Sequence, residues 1–327
     1  MATALSLPKR ILVRVVLFRQ LGLLLATLGL SVVMALLVPV FFTWGNIRDI
    51  LLNICIIGLV SVGMTMVILV AEIDLSVGSL LAVGATIAAL YIAAGGSTLV
   101  SIVIGVAVGA LMGFINGMFI YVTRTPSIII TLGTMSILRG LNIQIMHGDW
   151  IVGLPKRFWL LGNLRVLGVP LPVWITIVVA VVFIFILRNT NFGRDIYAIG
   201  GNLNAAKLSG IKVNKVKVIV FTLSGALVGL ASVLFAARFG WVVSNSGQGF
   251  EFSVIGAVVV GGTSIFGGVG GIGSSLLGAL LMGILPNSLV LLKVPPTWEK
   301  TILGLLILYA VISDRLIKNR TERGLAE

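Results

Sequence analysis

Few side chains in this sequence are equipped for covalent chemistry. There is one histidine, His147, and one cysteine, Cys55, whereas a zinc or haem site needs several such ligands to converge. His147 falls at the outer end of an apolar run and reads as an interfacial residue, and Cys55 reads as a buried, inert thiol. Gly268, Gly270 and Gly273 match the spacing GxGxxG, but no strand-turn-helix unit surrounds them and no acid follows about 20 residues on, so the dinucleotide reading fails. The phosphate-loop pattern GxxxxGK followed by Ser or Thr occurs nowhere. No pair of aspartates and no histidine cluster lies inside an apolar segment to serve as acid and base. The residues exclude a self-contained ATPase, a metalloenzyme and an intramembrane hydrolase.

What remains is polarity in places where it is costly. The stretch AEIDLSVGS (71–79) puts Glu72, Asp74, Ser76, Gly78 and Ser79 between two apolar runs. Asp74 or Ser76 can cap the helix that follows, or the acids and hydroxyls form a polar element at a gate. Asn116 and Arg139 lie inside apolar runs and must face protein or a water-filled cavity rather than lipid. The second break, GQGFEFSVIGAVVVGGTSIFGGVGGIGSS (247–275), is too rich in glycine for a straight helix. A broken or re-entrant helix at membrane depth is tolerated only where protein buries it or a cavity adjoins it, so Gly261, Gly262 and Thr263 join the candidates for a substrate path or gate.

The elements that must position these residues are membrane helices. Of 327 residues, 58% are hydrophobic and 10% charged, with mean hydropathy +1.18, values foreign to a water-soluble domain. At about 20 residues per crossing, ten spans are expected near 21–42, 51–70, 77–94, 100–122, 128–146, 171–187, 218–237, 254–269, 272–292 and 301–317. The eighth is short and glycine-rich. The first is too long for a removable signal segment. The formal charge of +13 comes from cations at the ends of these runs, which membrane topology explains without nucleic acid. With ten spans, fifteen basic residues fall on one side and seven on the other, leaving Arg139 within a span. The bias places an N-tail (1–19), a long loop (188–217) and a C-tail (315–327) in the cytoplasm, around one transmembrane domain covering 1–327. Gly105, Gly109, Gly113 and Gly117 recur every four residues, and Gly225 and Gly229 repeat the device, which predicts close helix packing.

The loop Arg188–Lys217 carries six basic residues against one acid, Asp195, and its length invites a partner. Together with VGMTMVILVAEIDLSVGSLLA (62–82), TPSIIITLGTMSILRG (125–140), NFGRDIYAIGGNLNAAKLSGI (191–211) and GAVVVGGTSIFGGVGGIGSSLLGALLMGIL (256–285), the chain resembles the membrane permease subunits of bacterial ABC importers for monosaccharides, the branch that includes ribose, xylose, rhamnose and autoinducer-2 systems. The resemblance covers nearly the whole chain. It implies an all-α polytopic bundle like that of type II importers, in the bacterial inner membrane and working by alternating access. It also implies a second permease copy or a sister permease, a periplasmic solute-binding protein, and a cytoplasmic ABC ATPase that holds ATP and Mg, with no cofactor on this chain. In the position of the family's coupling helix stand Gly193, Arg194, Gly200, Gly201, Asn202, Asn204, Ala205, Ala206, Lys207, Leu208 and Gly210. Gly200, Gly201 and Gly210 are expected to supply turns, and Asn204 stands where the family commonly has Glu. The outer stretches GDWIVGLPKRFW (148–159) and LVLLKVPPTWEK (289–300) look somewhat more like the autoinducer-2 permeases than the ribose ones. A stand-alone secondary sugar carrier is the alternative, and the scarcity of acids at membrane depth speaks against it.

Overall fold

The computed structural model describes residues 7–295 and 297–323, so the ends of the expected cytoplasmic tails, 1–6 and 324–327, lie outside the described residues. Among the described residues, thirteen helices make up almost all of the regular structure. They are α1 (Leu7–Leu37), α2 (Trp44–Leu69), α3 (Val77–Ala93), α4 (Thr98–Thr123), α5 (Ser127–Met146), α6 (Lys156–Asn163), α7 (Leu171–Asn189), α8 (Asn191–Gly201), α9 (Leu203–Leu208), α10 (Val213–Phe239), α11 (Phe250–Val260), α12 (Ile272–Leu291) and α13 (Thr297–Arg323). Seven of them, α1, α2, α4, α5, α7, α10 and α12, are long and apolar enough to cross a membrane.

Helix α2 is the axis of the bundle. From Cys55 to Val70 every residue is buried, and a helix that is apolar all round has to be enclosed by others. It is flanked by α7, α10, α11 and α12. Against α10 lies α4, with the spacing of the glycines setting the contact. A methyl group on Gly109 would strike the Gly225 carbonyl oxygen, one on Gly113 the Phe221 carbonyl, and one on Gly229 the Gly105 carbonyl. The two backbones therefore touch along four turns, and dispersion contact replaces side-chain interdigitation.

Helix α10 also serves as a depth gauge. Lys217, near its inner end, pairs with Glu72; Ser224 abuts Gly63, and Ser232 abuts Gly84. At 1.5 Å per residue, Gly78, six residues before Gly84 on α3, sits about 13 Å from the level of Lys217, roughly half-way along α10. The Gly247 carbonyl lies against Gly78, so α11 starts near mid-depth. Its 11 residues run about 16 Å toward the inner side.

The eighth expected span, 254–269, is corrected here. Its helix stops at Val260, and 261–271 is non-helical chain in which Gly262, Gly267, Gly268 and Gly270 all have positive φ. At Gly270, φ is +134°, and a side chain would in addition strike Thr263. The helix breaks because backbone conformations closed to L side chains are needed there. Two short helices were not foreseen: α6, whose Gly162 lies on the backbone of Ala237 and Arg238, and α8. At the end of the bundle where α10 finishes, Trp150–Ile151 pairs antiparallel with Val242–Val243, and Trp150 stacks on Trp241.

Candidate functional site

The residues expected at a gate form a buried polar cluster. Between α2 and α3 the chain is unwound, with Ala71 at φ 60°, and its backbone amides are taken up by α5: Ile73 N donates to Ser127 Oγ at 3.0 Å and Leu75 N to Thr131 Oγ1 at 3.1 Å. Ser76 does not cap α3 as expected, whereas Asp74 takes up the free amide at its N-cap position. Ser76 makes no side-chain capping bond, and Asp74 Oδ1 accepts instead from Ser76 N and Oγ, at 2.9 and 2.6 Å. Asn116 Nδ2 donates to Ser76 Oγ at 3.0 Å and its Oδ1 accepts from Thr134, so this side chain faces protein. Arg139 Nε reaches Ser79 Oγ at 3.4 Å. Gly78 is small because Glu251 Oε2 and the Gly247 carbonyl occupy the place of its Cβ. Arg139 Nη2, Glu251 Oε2 and Asp74 Oδ2 are buried without a hydrogen-bond partner. Of the residues expected on a path, Glu72 lines a cavity at the end of α4 and α10, while the others stand in this cluster or in the glycine loop.

The glycine loop 261–271 is a hub. Gly268 N donates to the Leu69 carbonyl at the end of α2, 3.0 Å. Tyr197 of α8 donates through its hydroxyl to the Gly270 carbonyl, 3.0 Å, and Ser264 Oγ donates to Asp314 Oδ2 of α13, 2.8 Å. Thr263 Oγ1, Ser275 Oγ and Thr65 Oγ1 are linked at 3.3 and 2.8 Å, which ties in α12 and α2.

The hairpin α8–α9 rests on that hub. Thr190 caps α8 through Gly193 N, and Asn202 caps α9 through Ala205 N at 3.0 Å, as side-chain oxygens do at helix starts. Gly210, at φ +79°, ends α9, and Ile211 N closes back on the Ala206 carbonyl, the αL stop typical of glycine. The expected turns at Gly200 and Gly201 are corrected: both belong to the last turn of α8. Gly200 is needed because its Cβ would fall on the Leu69 carbonyl oxygen and the Gly268 amide. Gly193 likewise abuts the Leu187 backbone. Ala206 is buried in the chain's own core and seats α9. The outward face is formed by Arg194, Asn204, Ala205, Lys207 and Leu208, with Leu208 90% exposed.

At the other end of α11, on the expected outer side, lies a cavity of about 340 Å³ between α2, α10, α11, α12 and α13. Asn53, Arg238, Gln248 and Ser253 supply polar groups, and Phe235 and Phe239 supply apolar walls. Arg238 is held in place: Nη1 donates to Asn53 Oδ1 at 2.7 Å, Nη2 donates to the Asp49 carbonyl, and the guanidinium lies over the Phe239 ring. The sequence reading missed these residues, which come one or two at a time from distant segments. The available signal was Arg238, a cation at the outer end of an apolar run.

The model of the family described as "Branched-chain amino acid transport system / permease component" matches residues 46–311. The chain belongs to that permease family. It is thus a transport subunit and not an enzyme, and it crosses the membrane several times. Among its relatives, the L-arabinose ABC transporter permease of Azospirillum brasilense is 38% identical over 91% of this chain and 88% of its own length. The ribose import permease of Escherichia coli K12 is 40% identical over 89% and 92%. The autoinducer 2 import permease of Yersinia pseudotuberculosis is 32% identical over 93% and 87%. Over the matched residues this chain is more nearly identical to these two sugar permeases than to that autoinducer-2 relative. No solved structure matches it.

Proposed function

We propose that this permease moves a monosaccharide, or a small polar solute like it, from the outside to the cytoplasm by alternating access, driven by ATP on a separate subunit. The single observation that carries the proposal is the continuity of three parts. The exposed hairpin α8–α9 rests on the glycine hub, the hub ends α11, and the start of α11 forms part of the outer cavity. A shift of the hairpin is passed along a rod about 16 Å long to the floor of that cavity. Its volume and its mix of hydrogen-bonding groups with aromatic walls suit a ring bearing hydroxyls, and the relatives named for ribose and arabinose support that class.

In this reading α3, α11 with its hub, and α13 complete ten crossings with both termini in the cytoplasm of a bacterial inner-membrane protein. Leu208 and its neighbours dock an ABC ATPase carrying ATP and Mg, a second permease copy or a sister permease completes the channel, and a periplasmic solute-binding protein delivers the cargo. Asp74, Ser76, Gly78, Ser79, Asn116 and Arg139 brace the unwound α2–α3 link as part of the gate, with Gly261, Gly262 and Thr263 as the hinge of α11.

The test uses proteoliposomes of the permease with its ATPase, the binding protein outside and ATP inside. Ribose and arabinose uptake is expected, and Leu208→Asp is expected to abolish it while the permease remains in the membrane. Uptake driven by an ion gradient without ATP, or uptake undiminished in the Leu208 variant, overturns the proposal.

A further inference from the structure

Two adjoining cavities of about 690 and 560 Å³ open at the inner end of α4 and α10, sharing Tyr121, Lys207 and Asn214. Their linings hold five cations, Arg124, Lys207, Lys212, Lys215 and Lys217, and one acid, Glu72. Glu72 is already paired with Lys217. Among the described residues, the other four cations have no ion-pair partner. Four uncompensated positive charges around one concavity repel one another unless an anion sits among them.

The lining has a direction. Arg124 follows the last turn of α4, and Lys212 and Lys215 lie at the first turn of α10. One to two turns deeper, toward the bilayer, the wall becomes apolar with Met118, Val218 and Ile219. Tyr121 stands between the two zones, where aromatic residues with a polar tip belong. Beside the opening the surface of α4 is apolar and uncovered at Phe114, Phe119 and Val122. A free phosphate would use the cations and leave the apolar wall empty, and an acidic protein segment would have no use for a wall that runs into the bilayer. A phospholipid matches both zones, with its phosphate among the cations and its acyl chain along α4 and α10.

We infer that this concavity binds one anionic phospholipid headgroup, and that the lipid braces the end of α9 against α4 and α10. The idea does not depend on what the permease transports. Lys207 is common to the lipid cavity and to the outward face of α9, so an occupied site fixes the position from which the hairpin moves.

The test is native mass spectrometry of the full-length chain released from micelles holding equal amounts of dioleoyl phosphatidylglycerol and dioleoyl phosphatidylcholine. One phosphatidylglycerol is expected to be retained in preference to phosphatidylcholine. The double variant Lys212→Gln, Lys215→Gln is expected to weaken retention about thirtyfold, a factor of about five per cation at an anionic surface. Ile219→Trp fills the cavity without changing charge and is expected to lose the lipid as well. Melting temperatures identify any variant that fails to fold, and Met118→Trp then takes the place of Ile219→Trp, or Arg124→Gln that of the charge variant. Retention that survives either kind of substitution, equal retention of phosphatidylcholine, or displacement by millimolar inorganic phosphate each overturns the inference. The first result means diffuse attraction, the second an apolar groove only, and the third a free-anion site.

Discussion

Two adjacent glycines at the end of α8 give a sharp test of the junction between the α8–α9 hairpin and the membrane core. In Gly200→Ala the new methyl falls on the Leu69 carbonyl oxygen and the Gly268 amide, which are themselves hydrogen-bonded at 3.0 Å. In Gly201→Ala it meets nothing within 4 Å. Both changes gain up to about 1 kcal/mol of helix propensity. At Gly200 that gain is opposed by overpacking of about 1–3 kcal/mol and by a buried backbone pair forced apart, about 1–3 kcal/mol more. A net loss of about 1–6 kcal/mol is expected for Gly200→Ala, and a change between zero and a gain of about 1 kcal/mol for Gly201→Ala. Thermal and denaturant unfolding of the purified permease in detergent reads both. In reconstituted complex Gly200→Ala is further expected to raise the ATP consumed per solute moved, because the hairpin no longer sits on the hub. Equal stability of the two variants would refute the close-packed junction, and with it the route from hairpin to α11.

Two further expectations follow from charged groups at either end of the bundle. Glu72 and Lys217 are 13% and 17% exposed, so Lys217→Met leaves a largely buried carboxylate unpaired and costs about 1–3 kcal/mol. Adding Glu72→Gln is expected to restore part of that loss in a double-mutant cycle of unfolding free energies, and simple additivity would contradict the pairing. At the outer rim, burial raises the Glu299 carboxyl above the usual glutamate range, with Lys300 acting in the opposite direction. The folded chain then holds this proton more tightly than the unfolded one, so stability is full below the ordinary glutamate value and falls as pH rises through the raised one. Glu299→Gln is therefore expected to melt higher than the parent at pH 8 and together with it at pH 4, and the reverse order would refute the burial argument.

Much of the architecture was legible because lipid imposes simple rules. Most of the long apolar helices fall close to the expected spans, although α1 starts at Leu7 rather than 21 and α2 at Trp44 rather than 51, and the four-residue glycine period announced close packing on α4 and on α10 without showing that the two ridges meet each other. The breaks at 71–79 and 247–275 were also visible, since polar or glycine-rich chain at membrane depth has few explanations. What a single sequence hid was the use of each glycine. Gly193 and Gly200 look like breakers, yet both lie inside α8, because a missing Cβ serves close approach as readily as a turn. Capping by Ser76 failed because a side chain in a crowded site is claimed by the nearest partner: its hydroxyl is held between Asp74 and Asn116, 40 residues away. The outer cavity was invisible because Asn53, Arg238 and Gln248 are single polar residues in unrelated segments, and only the folded chain puts them together.

The half-length of α11 has a consequence for how the protein is made. A segment of 11 residues followed by glycine loop is too short to partition into the bilayer as a unit, and its unpaired backbone groups cannot be left in hydrocarbon. It is expected to wait until α2 and α3 have been threaded and packed, since these provide the floor on which it lies, and α12 and α13 then close over it. Biogenesis thus has a late step in which chain that has emerged from the translocation machinery folds back into a prepared slot. Substitutions that loosen the slot, such as those at Gly78 or Gly268, are expected to act first as assembly defects, with chain synthesised normally and then degraded before it ever reaches a partner.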